Sequence, residues 1–302
     1  MKFGVCIPNY GETASLDGLR TMALEAEKLG YESVWTTDHV LMPPRSGTPY
    51  ERIFESITTL SYLAAITSTV KLGISSLITA MRNPVVVAKQ LATIDQFSGG
   101  RVILATSSGW YENEFKHLGS DFHMRGKRLD ESIELIRTLW SEPTPKFEGK
   151  ILPHRFSEVV FEPRPIQKHL TLWIGGLSGA AMKRAVRLGD AWHPNVLPLD
   201  AFTKLVKRFR SIPGAEEKEI CARIALDTRA TTAEYTGPQG EQRLILSGNM
   251  DENKRVITQL GELGVTQMIV ATNRDGKVPI AAQLESLRSL AESSIRKADY
   301  IS

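Results

Sequence analysis

The stretch NPVVVAKQLATIDQFSGGRVILATSSGWYENEF, residues 83–115, holds a complete helix, strand and loop. Asn83 and Pro84 open the helix, with proline at the first helical position, where its missing N–H leaves no bond unmade. Val87, Leu91, Ile94 and Phe97 recur at three- and four-residue spacing and predict one apolar face. Ser98, Gly99 and Gly100 end it. A short apolar strand over 101–105 follows and runs into Thr106, Ser107, Ser108 and Gly109, small residues that leave room for a ligand against bare backbone.

The same alternation extends in both directions. Strands are predicted over 2–7, 33–37, 71–77, 101–105, 172–174, around Ala191 and Trp192, over 219–227 and over 267–271. Amphipathic helices are predicted between them, the last over 280–295, and the loop LMPPRSGTPYER (41–52) is long enough to serve a site. Two stretches break the rhythm: proline-rich 141–165, read as an excursion such as a hairpin, and polar 230–248. Eight strands alternating with eight helices predict an α/β fold, a closed (β/α)8 TIM barrel with loop excursions, as a single domain over 1–302. An open doubly wound sheet would need a glycine fingerprint after the first strand, and IPNYGET lacks it.

Composition narrows the class further. Hydrophobic residues at 42% and charged residues at 24% fit a soluble globular chain with no membrane span, and a net charge of +3 argues against a nucleic-acid surface. The densest basic run, LVKRFR (205–210), has helical spacing and reads as a solvated helix face. Cys6 and Cys221 stand far apart without metal or disulfide spacing, which fits a reducing cytoplasm. The start MKFGVCIPNYG reads as a strand, not a signal peptide.

A barrel of this kind places its site at the C-terminal strand ends. That rule selects Asn9 and Tyr10, Asp38 and His39, Ser108, Gly109, Trp110 and Asn113, and His193. Asp38 and His39 form the sharpest pair, since an imidazole exchanges protons near neutrality beside a carboxylate that can orient it, although capping and loop roles fit them too. Gly175, Gly176, Ser178 and Gly179 precede a helix, where backbone amides can hold a phosphate, or simply serve a tight turn. Glu112 and Glu114 read as solvated carboxylates on a helical turn. The remaining histidines have no ligand spacing, so no metal is expected. No lysine stands at a strand mouth, which counts against an aldolase-like enzyme.

The wording AKQLATIDQFSGGR, SGWYENEF, VWTTDHV and LGDAW resembles the luciferase-like monooxygenase family of flavin and deazaflavin enzymes over about residues 1–195. The resemblance implies a TIM barrel. It places Asp38 near a cofactor and makes His39 a proton donor, puts Ser108, Gly109 and Asn113 on the cofactor side, and sets the cofactor phosphate at Gly175, Gly176, Ser178 and Gly179. It also implies a non-proline cis peptide between Ser75 and Ser76, behind the cofactor ring. Trp110 stands where some members carry a basic carboxylate, so that role does not transfer, and a pocket wall is expected. Coenzyme F420 is the first expected cofactor, with hydride transfer to or from a small-molecule substrate. Reduced FMN with oxygen and a separate flavin reductase is the alternative, and a non-catalytic flavin-binding protein a third. Tyr62, Leu63 and Ile66 suggest apolar surface left for a homodimer, a common assembly in the family.

Overall fold

The computed structural model describes residues 1–295. Eight strands, β1 (Lys2–Cys6), β2 (Ser33–Thr36), β3 (Lys71–Ile74), β4 (Val102–Thr106), β5 (Leu172–Gly175), β6 (Ala191–His193), β7 (Glu219–Leu226) and β8 (Val265–Ala271), pair in parallel in that order. The circuit closes where β8 pairs with β1. It is a TIM barrel, with eight helices packed around it: α1 (Leu16–Lys28), α2 (Ser56–Ile66), α3 (Pro84–Ser98), α4 (Arg125–Ser141), α5 (Gly179–Leu188), α6 (Leu199–Arg210), α7 (Met250–Glu262) and α8 (Ile280–Leu290). No helix among the described residues is long and apolar enough to cross a membrane.

The interior is filled by side chains whose fit dictates the neighbouring residues. Trp35 on β2 stacks on Trp173 on β5 at 4.6 Å between ring centroids. A Cβ on Gly73 would sit 2.2 Å from the Trp35 ring, so the strand beside that indole has to carry glycine. Cys6, Ile103, Ala105, Ala191, Cys221, Ile269 and Ala271 complete this inner cluster, and both cysteines are free and buried.

Helix α3 starts as the sequence predicts, with the Asn83 side chain accepting from the Val85 and Val86 amides and Pro84 in the first turn. It stops at Gly99, which takes the left-handed φ of 69°. Phe97 departs from the prediction. The inward stripe is Val87, Leu91, Ile94 and Ser98, and Phe97 falls past its edge, 76% exposed. Leu63 departs too: it lies in the core of the same chain and has no surface to offer a partner.

The two irregular segments differ. Over 141–165 there is a short hairpin, Phe147–Glu148 against Arg155–Phe156. Over 230–248 the structure corrects the polar reading. Glu234–Thr236 and Gln242–Leu246 form a hairpin whose second arm extends the sheet beside β7, and Leu244, Ile245 and Leu246 are buried. The apolar half of that arm was too short to read as a strand against its Gly and Pro flanks.

Arg101 follows the glycine stop and explains why a basic residue stands there. Its guanidinium donates to the carbonyls of Ala64, Thr67 and Val70 and to Thr67 Oγ1, tying the end of α2 to the start of β4. Ala64 lies in the last turn of α2, where a helix end leaves carbonyls without partners. Arg101→Ala should lower unfolding free energy by about 2–4 kcal/mol, read as a lower urea midpoint at unchanged slope.

Candidate active site

The strand mouths surround a cleft of about 560 Å³, within the range of small-molecule sites. Asp38, His39, Ser75, Ser76, Ser108, Gly109, Gly175, Gly176 and Ser178 all line it, as do Trp110 and His193. Asn113 does not. It is exposed on the short helix Glu112–His117, bonded to Tyr111, because that helix turns its other face inward. Gly179 opens α5 but stands outside the lining, beside Arg208.

Glu114 is the residue that inward face carries. It is fully buried, not solvated, and accepts from His39 Nδ1 at 2.8 Å, from the Val40 amide at 2.5 Å and from the Leu41 amide at 3.1 Å. Burial alone would raise its pKa, but the bond to His39, the charge on that ring and the two amides outweigh it and hold the carboxyl below its ordinary range. Glu114 is therefore a carboxylate that fixes a proton on His39 Nδ1. Nε2 of His39 has no protein partner among the described residues, and the ring is held by stacking on Tyr50 at 4.8 Å and by the edge of Trp110 at 5.6 Å. The long 41–52 loop delivers Tyr50 to that position.

Asp38 sits differently from its neighbour. Its two oxygens accept from Arg82, from Ser56 Oγ at 2.7 Å and from the Ile78 amide at 2.9 Å. Arg82 also reaches Glu55 at 3.1 Å. The carboxylate thus borders the cleft while its bonds run into the wall, holding the loops after β2 and β3 together.

Small residues leave backbone bare on one side of the cleft. Gly109 has φ of 77°, and a Cβ there would lie 2.7 Å from both Ile78 and the Phe115 ring. A Cβ on Gly175 would lie 2.6 Å from Ser76 Oγ, and Gly176 has φ of 124°. Ser178 caps α5 by accepting from the Ala181 amide, so the earlier first-turn amides have no intrahelical acceptor. Arg125 faces the same cleft with its buried Nε unpartnered. The Ser75–Ser76 peptide is cis.

His193 is the last residue of β6, not a loop residue beyond it. Its Nδ1 donates to the Cys221 carbonyl, which leaves Nε2 to accept from Ser75 Oγ at 2.8 Å. With both nitrogens committed, its part is to position Ser75. Sequence reading also passed over Arg82, Arg125 and Arg223. Arg223 had a signal, since it interrupts the otherwise apolar strand ICARIAL.

Burial pushes the His193 pKa down to about 4 from 6.5. Between those values the unfolded imidazole takes up a proton that the folded one refuses. Its stabilising contribution is complete above pH 6.5 and is lost as pH falls toward 4. Urea titrations at several pH values should show His193→Gln losing up to about 3 kcal/mol less than the parent over that interval.

The chain is similar to several known proteins. A dimethylsulfone monooxygenase from Pseudomonas putida, named as FMNH2-dependent, is 32% identical over 184 residues, 60% of this chain and 49% of that protein. An F420-dependent glucose-6-phosphate dehydrogenase from Amycolatopsis mediterranei is 34% identical over 176 residues, 56% of this chain and 50% of that protein. Each match spans about half the relative's length. A crystal structure of a monooxygenase from Streptomyces bottropensis superposes with a TM-score of 0.78 at 21% identity, covering 99% of this chain and 100% of that one. The family model for luciferase-like monooxygenases matches residues 1–287, and with that span of its length matched, the chain belongs to the luciferase-like monooxygenase family.

Proposed function

We propose that the chain is an oxidoreductase that binds a flavin-type cofactor at the strand mouths, coenzyme F420 first, and passes a hydride between it and a small organic substrate. The observation that carries this reading is the Glu114 and His39 couple, an oriented imidazole whose Nε2 borders a cleft walled by bare backbone. The cleft fits such a group: Ser107, Ser108, Gly109, Gly175 and Gly176 give a flat wall, and Ser178 with the start of α5 and Arg125 offers donors to a phosphate. Relatives named for F420 and for FMNH2 support the cofactor class.

When bound, the cofactor supplies the two-electron carrier; a deazaflavin has carbon at ring position 5 and does not readily activate oxygen. The protein handles the proton. Hydride delivered to a carbonyl or imine leaves an oxygen or nitrogen that needs a proton, and His39 Nε2 is placed to give it or, in reverse, to remove it. Glu114 keeps Nδ1 protonated throughout and stabilises the imidazolium. Tyr50 and Trp110 pack on the ring and keep bulk water from it. Asp38 acts one step back, by holding Arg82, Ser56 and the Ile78 amide around the cofactor side.

A second reading follows from the FMNH2-dependent relative: reduced FMN with oxygen, fed by a separate flavin reductase. Competitive titration separates the two. F420 should bind more tightly than FMN; tighter FMN binding with oxygen consumption by the reduced-FMN complex would replace the first reading with the second.

His39→Ala should lower turnover about 10²–10⁴-fold with cofactor affinity nearly unchanged. Glu114→Gln should cost turnover in the same direction, because a neutral amide no longer fixes the ring as the carboxylate does. Unchanged turnover in His39→Ala would remove the imidazole from the mechanism.

A further inference from the structure

On the side of the mouth formed by β1, β7 and β8, a second cavity of about 20 Å³ opens off the cleft, sharing Tyr50, Asn195, Arg223, Pro238 and Arg243 with it. That space is too small for a whole substrate, so a ligand there lies with its head group at the opening, against the residues shared with the cleft. Its donors are unusual. Arg223 reaches across the mouth to give Nη1 to the Ser75 carbonyl at 2.6 Å and Nη2 to Thr37 Oγ1 at 3.3 Å. The rest of its fork has no protein acceptor among the described residues.

The neighbouring guanidinium groups show what is missing. Arg243 is paired with Glu241, and Arg274 stands 3.8 Å from Asp227, a carboxylate that also holds Arg229, and keeps a buried Nε without a hydrogen-bond partner among the described residues. Arg223 has no carboxylate within ion-pair distance among the described residues. A guanidinium stays protonated at any physiological pH, and a charge partly withdrawn from water without a counter-ion is costly. Two further donors share the niche: Tyr10, 2% exposed, and Tyr50, whose rings meet edge to face at 5.1 Å. Neither hydroxyl has a hydrogen-bond partner among the described residues. Burial raises both phenol pKa values, so both remain O–H donors. The rest of the wall includes Val196, Ala225, Leu244 and Ala271, whose side chains offer no competing acceptor.

From these groups we infer that the niche is the substrate's anchor and that the substrate is a small organic oxyanion, a carboxylate or sulfonate, whose head group is held by Arg223, Tyr10 and Tyr50. A planar carboxylate takes the open side of the guanidinium fork bidentately, with the phenols donating to its remaining lone pairs. The anchor would leave the other end of a short substrate in the main cleft, on the side of His39. The inference rests on the reading of that cleft as the cofactor's seat.

Titration of the cofactor-free full chain with butanoate, propane-1-sulfonate, butanamide and butan-1-ol, followed by saturation-transfer NMR and calorimetry, tests it. At least one anion should bind about tenfold or more tightly than the amide and the alcohol, and the tighter anion names the head group. Arg223→Gln should remove that preference. Tyr10→Phe and Tyr50→Phe keep the rings and the packing, so they serve if Arg223→Gln does not fold; each should weaken the anion several-fold and leave butanol unchanged. Equal binding of amide and anion, or an anion whose affinity ignores Arg223 and both phenols, overturns the inference. Anion binding that depends on these residues in a chain that takes up neither F420 nor FMN would leave the anchor standing and overturn the cofactor reading, and cofactor uptake without anion preference would do the reverse.

Discussion

A carboxylate removed from water has to find donors, and the placement of Glu114 under that constraint shapes the mouth of the barrel. Its oxygens take the His39 ring and two consecutive backbone amides of the loop after β2, so the loop cannot leave without stranding a buried charge. Asp38 repeats the device one residue earlier, with Arg82, Ser56 and the Ile78 amide. Adjacent residues of one loop are thus anchored to two different strand ends, β4 through Glu114 and β3 through Ile78. The imidazole between them is left with little freedom beyond that of the proton on Nε2.

Beneath this layer the barrel works by volume. The stacked Trp35 and Trp173 occupy the interior, and His193 lies against both rings, 6.0 Å from one and 5.4 Å from the other. That packing buries the His193 ring, whose bonds then hold Ser75 from below. Glycine at 73 gives the Trp35 ring its place, and glycine at 109, 175 and 176 is dictated in the same way by close neighbours, Ile78 and Phe115, Ser76, and Ala181.

The fold was legible because its signals are local. Caps, glycine stops and apolar periods mark several of the βα units, and Asn83, Pro84 and Gly99 do what their chemistry dictates. Errors fell where a neighbour in space, not in sequence, decides the outcome. Phe97 has the right composition for the apolar stripe but the wrong angle, Leu63 looks like spare surface until α2 is packed, and the 242–246 strand is recognisable only beside β7. The site divides in the same way. Asp38, His39, Gly109 and Gly176 stand at strand ends and could be chosen by rule, whereas Glu114 lies on a surface-like helical turn whose inward face is defined only by the loop it meets. A charged residue in an apolar strand, as in ICARIAL, is the signal that deserved more weight.

The two sides of the mouth differ in kind, and the difference has a physical reason. From β3 to β5 the wall is serine and glycine, with amides and few side chains, which suits a broad flat ring because its recognition needs close approach of backbone. From β7 and β8, with the 234–246 hairpin folded beside them, the wall is arginine and tyrosine. Groups of that kind reach inward and select for charge and shape at their tips. Glu241 neutralises Arg243 within the hairpin, so the net charge presented at the boundary between the two walls is that of Arg223. A group arriving there meets an oriented imidazole on one side and an uncompensated guanidinium on the other, which is an arrangement for holding one end of a molecule while changing the other.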